Sequence, residues 1–269
     1  MPIAVLDLHR IAIFAILKKT PVTYIFTPVR LLFKLFFGLY FFLTLAILYP
    51  LFYFFLAKNS RFKYAFALKR FWSILLQIGF LSGLQVKREG QLPEGPFIIC
   101  SNHSSYLDII FMYRVIPRYF IFMGKNELLK WPLFKLFFKR QDIAVDRHNA
   151  SGAARAFGRA KEVLRNGDAL AMFPEGTIPK HAPKLKPFKD GAFKLAIECQ
   201  VPIVPVTFLS HWKMLGEAEN LWGRTRPGIS KVVVHEPIYT AGMSDKDLLD
   251  LRQQVFNTID SSLKKHGSN

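Results

Sequence analysis

The chain has 269 residues, carries 37 Lys+Arg against 19 Asp+Glu for a formal charge of +18, and is 51% hydrophobic with 27 Phe. That combination excludes a disordered basic tail, which is charged but poor in apolar residues. It also excludes a polytopic transporter, because at most one or two stretches reach the ~20 apolar residues of a membrane span. Two cysteines, Cys100 and Cys199, are too few for a disulfide framework and lack zinc-site spacing. Reduced thiols in a cytoplasmic setting fit this usage.

Charge and apolar residues are unevenly placed. Residues 1–90 hold 12 Lys/Arg and 2 Asp/Glu, whereas residues 91–269 hold 25 and 17. Ile11 to Lys19 is a short apolar stretch with a basic end. Leu35 to Ala57 is a run of 23 residues without a charge, long enough to cross a hydrocarbon core. It begins too late for a signal peptide and lacks a small-residue cleavage pattern. Gly38 and Pro50 interrupt it, and basic residues flank both ends (Arg30 and Lys34 before, Lys58 and Arg61 after), so the positive-inside rule does not orient it. Two readings follow: one span, or a bent pair of helices in one leaflet with Pro50 near the bend. A buried core helix is the disfavoured third. Basic charge beside such sequence suits an anionic membrane surface, at ~1 kcal/mol per Lys/Arg. Nucleic acid is not expected as a partner, since no zinc-finger spacing, RNP-like motif or basic zipper is present. Residues 1–70 therefore read as a membrane-associated helical segment and 71–269 as a separate domain. Residues 71–96 form the joint, punctuated by Gly79, Gly83, Gly90, Pro93, Gly95 and Pro96.

From residue 97 onward short apolar runs alternate with helical patterns. Strands are predicted at Phe97–Cys100, Tyr119–Phe122, Ile143–Val145, Ala169–Phe173, Ile203–Phe208 and Lys231–His235. Helices are predicted at about 107–116, 126–138, 150–166, 190–199 and 245–264. Asn149 or Ser151 caps the third and Gly167 stops it; Ser244-x-x-Asp247 opens the last in capping-box form. Alternation of this kind predicts an α/β fold, a mostly parallel sheet flanked by helices.

The chemistry-bearing residues fall on loops after predicted strands. His103 and Asp108, with Asn102 beside them, follow the first. Five steps along a helix rotate about 140°, so the pair would not share a helix face. A turn into a helix can bring the carboxylate back to the imidazole, as in the base–orienter half of a triad. The alternative is a structural His capping a helix. Ser104 and Ser105 lack a nucleophile-elbow context and read as turn residues. After the fourth predicted strand comes Phe173-Pro-Glu-Gly-Thr177: Gly176 permits close backbone approach, Thr177 offers a hydroxyl, and Glu175 can hold the loop or orient a polar group. The segment is followed by Lys180, Lys184, Lys186 and Lys189, which can meet phosphate or face solvent. Arg147, at the end of Ile143–Val145, is a candidate phosphate clamp, with a salt bridge to Asp146 or Asp142 as its alternative. Lys125 has the same double reading. Val201-Pro-Ile-Val-Pro-Val206 reads as a buried strand. The seven His (9, 103, 148, 181, 211, 235, 266) are scattered without metal-ligand spacing, and no Gly-rich nucleotide loop occurs.

In this order and spacing the blocks resemble the glycerolipid acyltransferase family typified by bacterial 1-acyl-glycerol-3-phosphate acyltransferase, over roughly residues 70–215. The resemblance implies His103 as general base and Asp108 as its partner. It places Asn102, Lys125, Arg147, Glu175, Gly176 and Thr177 in acceptor and substrate binding. It implies transfer of a fatty acyl group from acyl-CoA or acyl-carrier protein to a lyso-lipid hydroxyl, with no metal and no cofactor beyond that thioester. It also implies residence at the cell membrane with the catalytic domain on the cytoplasmic face. The sequence departs from the family at position 178, which is Ile where the family commonly has Arg. Either a nearby Lys (180 or 184) replaces that charge, or the acceptor lacks a phosphate, as in lyso-ornithine lipid. A membrane-bound thioester hydrolase and a non-catalytic lipid-binding protein are the rivals from other classes.

Overall fold

The computed structural model describes residues 27–126, 129, 132–146, 149–216 and 223–267. The segment Ile11 to Lys19 and Arg147 lie outside them. The first described element is a single helix, α1 (Thr27–Leu56), which passes through Pro50 without reversing. The chain turns back only at residues 57–61, and α2 (Phe62–Gly79) then packs on α1. A proline inside a helix removes one i→i−4 bond, and the side-chain packing of this hairpin is extensive enough to carry that loss. Trp72 Nε1 donates to Thr44 Oγ1 at 3.0 Å, and Tyr40 OH donates to the Leu75 carbonyl at 3.1 Å. Gly79 sits against the Tyr40 ring, where a Cβ would fall 2.3 Å from a ring carbon.

Among the described residues, seven strands form one sheet. They are β1 (Ser82–Arg88), β2 (Ile98–Ser101), β3 (Phe120–Lys125), β4 (Ile143–Val145), β5 (Ala169–Met172), β6 (Ile203–Phe208) and β7 (Gly228–Val234), in the order β1-β7-β6-β2-β5-β3-β4. Every pairing is parallel except β6 with β7. The sheet is thus mostly parallel, as expected, with β1 and β7 reversed as a pair at one edge. β1 lies inside what the sequence presented as a joint and is a correction to it. Its positions alternate between half-buried and exposed, so it has no continuous apolar run to reveal it.

Helices cover both faces, and strand alternation divides the core accordingly. On one face Ile99, Ala171, Val204 and Val206 pack with α1, α2 and α3 (Leu107–Val115). On the other, Ile98, Cys100, Leu170 and Ile203 pack with α5 (Ala150–Arg165), α6 (Gly191–Cys199) and α8 (Leu248–Gly267). The short α4 (Pro132–Arg140) adds Phe137 to the first core. Asn149 caps α5, its Oδ1 accepting from the N–H groups of Ser151 and Gly152. The Ser244–Asp247 capping box is present ahead of α8.

One buried ion pair ties the hairpin to the sheet. Lys69 Nζ lies 2.8 Å from Asp142 Oδ2, with side-chain exposures of 6% and 5%. Asp142 Oδ1 accepts from the Phe122 N–H, so both carboxylate oxygens have partners among the described residues.

Candidate active site

Strands β2, β3, β4, β5 and β6 run the same way, so their C-terminal ends open on one sheet edge, where ligands of open α/β sheets bind. β2 delivers Asn102 and His103 to that edge. Asn102 is 1% exposed, and its amide pairs with Phe208 in both directions: Nδ2 donates to the carbonyl at 3.0 Å, and Oδ1 accepts the N–H at 2.8 Å. The side chain thereby extends the β2–β6 pairing by one rung and fixes the base of the loop.

The loop then turns into α3, with Asp108 in its first turn. Asp108 is fully buried. Its Oδ2 accepts from the Ser104 N–H at 2.5 Å, the Ser105 N–H at 2.8 Å and His103 Nδ1 at 3.0 Å. Ser104 and Ser105 thus contribute backbone N–H groups to the carboxylate, as turn residues do. Burial by itself raises the Asp108 carboxyl, but hydrogen bonds from His103 and His211 outweigh it and hold the group below its ordinary value. An ionised carboxylate only accepts, so Nδ1 of His103 carries a proton, and in the neutral ring the free lone pair is that of Nε2. That Nε2 has no hydrogen-bond partner among the described residues, and the side chain retains 12% exposure. Phe173 stacks on the ring at 4.1 Å between centroids, 16° from parallel, and restricts its rotation.

Glu175 joins two loops. Its Oε1 accepts the His103 N–H at 2.8 Å and its Oε2 accepts the Lys186 N–H at 2.9 Å. Gly176 has φ +75 and its N–H bonds back to the Phe173 carbonyl at 2.9 Å. That is a left-handed conformation natural to Gly. Thr177 Oγ1 donates to the Ile178 carbonyl at 3.1 Å. Lys125 ends β3 at the same sheet edge. The structure therefore brings Asn102, His103, Asp108, Glu175 and Gly176 together by direct bonds or adjacency.

Burial pushes the Glu175 carboxyl up to about 7, while the Lys186 and His103 N–H groups pull it back. Between its ordinary value of 4.5 and about 7, the folded protein binds more protons at this site than the unfolded chain does. Stability from this group therefore rises as pH falls through that window and is lost as pH climbs above it. The integrated effect is about 3 kcal/mol. Glu175→Gln is expected to flatten the dependence of Tm on pH between about 4.5 and 7. A variant with the wild-type slope would show that Glu175 does not titrate there.

One site feature is not legible as a motif. His211, in the four-residue helix α7 (His211–Met214), places Nδ1 2.7 Å from Asp108 Oδ1. It sits 103 residues away in sequence, and only its position directly after β6, on the same edge, hints at the contact.

The site is thus a His–Asp pair on the loop after a central parallel strand, with the Phe-Pro-Glu-Gly-Thr turn packed against it, and the class of the domain that carries it is acyltransferase. A family model described as Acyltransferase matches residues 83–209. Similar proteins include the mouse and human 1-acyl-sn-glycerol-3-phosphate acyltransferase alpha, 31% and 33% identical over 191 residues. Each alignment spans 69% of this chain and 66% of the relative, just under two thirds of its length. The crystal structure of the 1-acyl-sn-glycerophosphate acyltransferase PlsC from Thermotoga maritima superimposes with a TM-score of 0.72. It covers 89% of this chain and 97% of its own, and at 24% identity it establishes the shared fold. The chain belongs to the glycerolipid acyltransferase family.

Proposed function

We propose that this protein is a membrane-seated O-acyltransferase that moves a fatty acyl group from acyl-CoA or acyl-carrier protein to the free hydroxyl of a lyso-lipid. The favoured acceptor is 1-acyl-glycerol-3-phosphate, giving phosphatidic acid. The observation that carries this reading is the buried Asp108 carboxylate 3.0 Å from His103 Nδ1, which leaves Nε2 as an acceptor. In the mechanism, Nε2 removes the acceptor hydroxyl proton as the oxygen attacks the thioester carbonyl. Backbone N–H groups or Lys125 stabilise the tetrahedral oxyanion. The imidazolium then protonates the departing thiolate, so no acyl-enzyme forms and no cofactor is needed. Asn102 and Glu175 hold the base loop, while Gly176, Thr177 and Arg147 serve the acceptor. The names of the mouse and human relatives support a phosphate-bearing acceptor. Ile178 favours a second reading, a phosphate-free lyso-amino-acid lipid.

The membrane part of the reading rests on α1. Pro28–Leu56 is long and apolar enough to cross a bilayer, with 28% of its most apolar window buried in the protein. Leu32, Leu35, Leu39, Leu43 and Ile47 are all exposed, and an exposed apolar face of this size marks a lipid or partner surface. The domain would lie on the cytoplasmic face, beside the soluble thioester donors. Leu39→Lys with Ile47→Lys is expected to shift the protein from the membrane to the soluble fraction. Unchanged flotation with liposomes would argue against α1 as the seat.

Purified full-length protein should be incubated with labelled acyl-CoA or acyl-carrier protein and a panel of lyso-lipids, with and without phosphate, and the products identified. Acylated 1-acyl-glycerol-3-phosphate is the expected product. Acylation confined to phosphate-free acceptors would establish the second reading. Thioester consumption without an acceptor would make the protein a hydrolase.

A further inference from the structure

We propose that His211 is a positioning residue for the general base: it fixes the Asp108 carboxylate so that Oδ2 faces His103. This rests on His103 and Asp108 acting as the base pair. The two carboxylate oxygens have different partners. Oδ2 takes His103 Nδ1 and the two backbone N–H groups. Oδ1 takes His211 Nδ1 at 2.7 Å, with the Ser104 hydroxyl more distant at 3.5 Å. Without His211, Oδ1 would keep only that long contact, and the carboxylate would be held through Oδ2 alone.

The protonation state of His211 follows from its own partners. An ionised carboxylate requires a donor, so Nδ1 carries the proton. Nε2 lies 2.6 Å from Ser230 Oγ, and in the neutral ring that the proposal assigns it accepts from that hydroxyl. The chain of donors runs Ser230 O–H to His211 Nε2, then His211 Nδ1–H to Asp108 Oδ1. Every polar atom in it is satisfied with a neutral imidazole. Ser230, His211 and Asp108 are each fully buried. A polar ring in such a place is costly unless its hydrogen bonds are used, and the rest of its surroundings are apolar. Phe208 stacks against the ring at 4.7 Å and Phe111 tilts against it at 4.9 Å. Capping of α7 does not require this side chain, because the hydrogen bond from the Leu215 N–H goes to the His211 carbonyl. The arrangement also connects the reversed strand β7, through Ser230, to the loop after the central strand.

The test uses the full-length protein in detergent micelles, with a folded fraction measured for each variant. His211→Phe keeps a flat ring between Phe111 and Phe208 and removes the donor. It is expected to lower kcat by roughly 10- to 100-fold, the effect of one lost hydrogen bond to a charged group. Both KM values should stay within about twofold, since His211 is fully buried and presents no surface to a substrate. His211→Asn, whose amide N–H stands in for Nδ1–H, should recover most of the loss. Ser230→Ala removes the donor that fixes the ring and should lower kcat by a smaller factor. Nuclear magnetic resonance of nitrogen-labelled histidine should find His211 protonated on Nδ1 and bare on Nε2. A folded His211→Phe with wild-type kcat, a loss carried by KM, or a ring protonated on Nε2 would each overturn the proposal. Should His211→Phe not fold, Ser230→Ala and the resonance measurement decide. Absence of acyl transfer in the wild type would instead remove the acyltransferase reading, which the tautomer measurement does not depend on.

Discussion

His103→Ala is expected to lower kcat for acyl transfer by about 10²- to 10⁴-fold, the contribution typical of a positioned general base. The change is well isolated. The His103 side chain contacts Asp108 through Nδ1 and Phe173 through its ring face, whereas its backbone N–H remains to bond Glu175. Asp108 keeps the Ser104 and Ser105 N–H groups and His211 as donors, so its buried charge is not stranded. The proposed membrane seat, the apolar face of α1, lies far from residue 103 in the chain, and on that reading liposome binding should be unaffected. Kinetics on the purified variant together with liposome flotation check both halves. Near-wild-type kcat would remove His103 from the chemistry.

Lys69→Ala is expected to destabilise the fold by about 3–5 kcal/mol, the range for removing one partner of a buried ion pair. The number is large because the loss is one-sided. Asp142 would stay ionised or take up a proton at 5% side-chain exposure, while its other oxygen still holds the Phe122 N–H. The Tyr113 and Phe137 rings around the Lys69 ammonium, at 5.7 and 5.2 Å, would face a void. Lys69→Met with Asp142→Leu should recover much of the loss, because two apolar side chains leave no lone charge, though the Phe122 N–H then costs ~1–3 kcal/mol. Denaturant titration of the three forms in one detergent checks the ordering. Equal stability of Lys69→Ala and wild type would mean that the pair contributes nothing.

What the sequence revealed follows from how each feature is encoded. The six strands from β2 to β7 announced themselves because buried parallel strands are continuous apolar runs. β1 did not, because Gly83, Gln85 and Lys87 interrupt an edge strand that is half exposed. Leu35 to Ala57 reads as one span or as a bent pair of helices with Pro50 near the bend, but the reversal of the chain is not at Pro50. It lies at residues 57–61 instead, because side-chain packing along both helices outweighs one missing hydrogen bond. At the site, His103, Asp108 and Glu175 were legible as short blocks, because the loop geometry that unites them is local or follows successive strand ends. The partners that complete the constellation were not. His211 and Ser230 reach Asp108 across large sequence separations, and no spacing rule encodes a contact made by neighbouring strand ends of a folded sheet. The part played by Asn102 is also set by the fold: its amide bonds Phe208 through both Nδ2 and Oδ1, a role that residue type alone does not distinguish from ligand binding.

The lysine-bearing stretch after Glu175 is tied at its base. The Lys186 N–H bonds the Glu175 carboxylate and the Lys189 N–H bonds the Pro174 carbonyl, both at 2.9 Å. The excursion between them is a closed Ω-like loop whose ends stay where they are whatever lies in the middle. Lengthening such a loop twofold costs only about 0.6 kcal/mol. Residues 178–184 can thus be exchanged for segments of different length and charge without disturbing the imidazole. On the proposed reading, with the acceptor met by this loop, preference for a head group and the capacity to abstract a proton are separable, and the first can drift while the second is held constant.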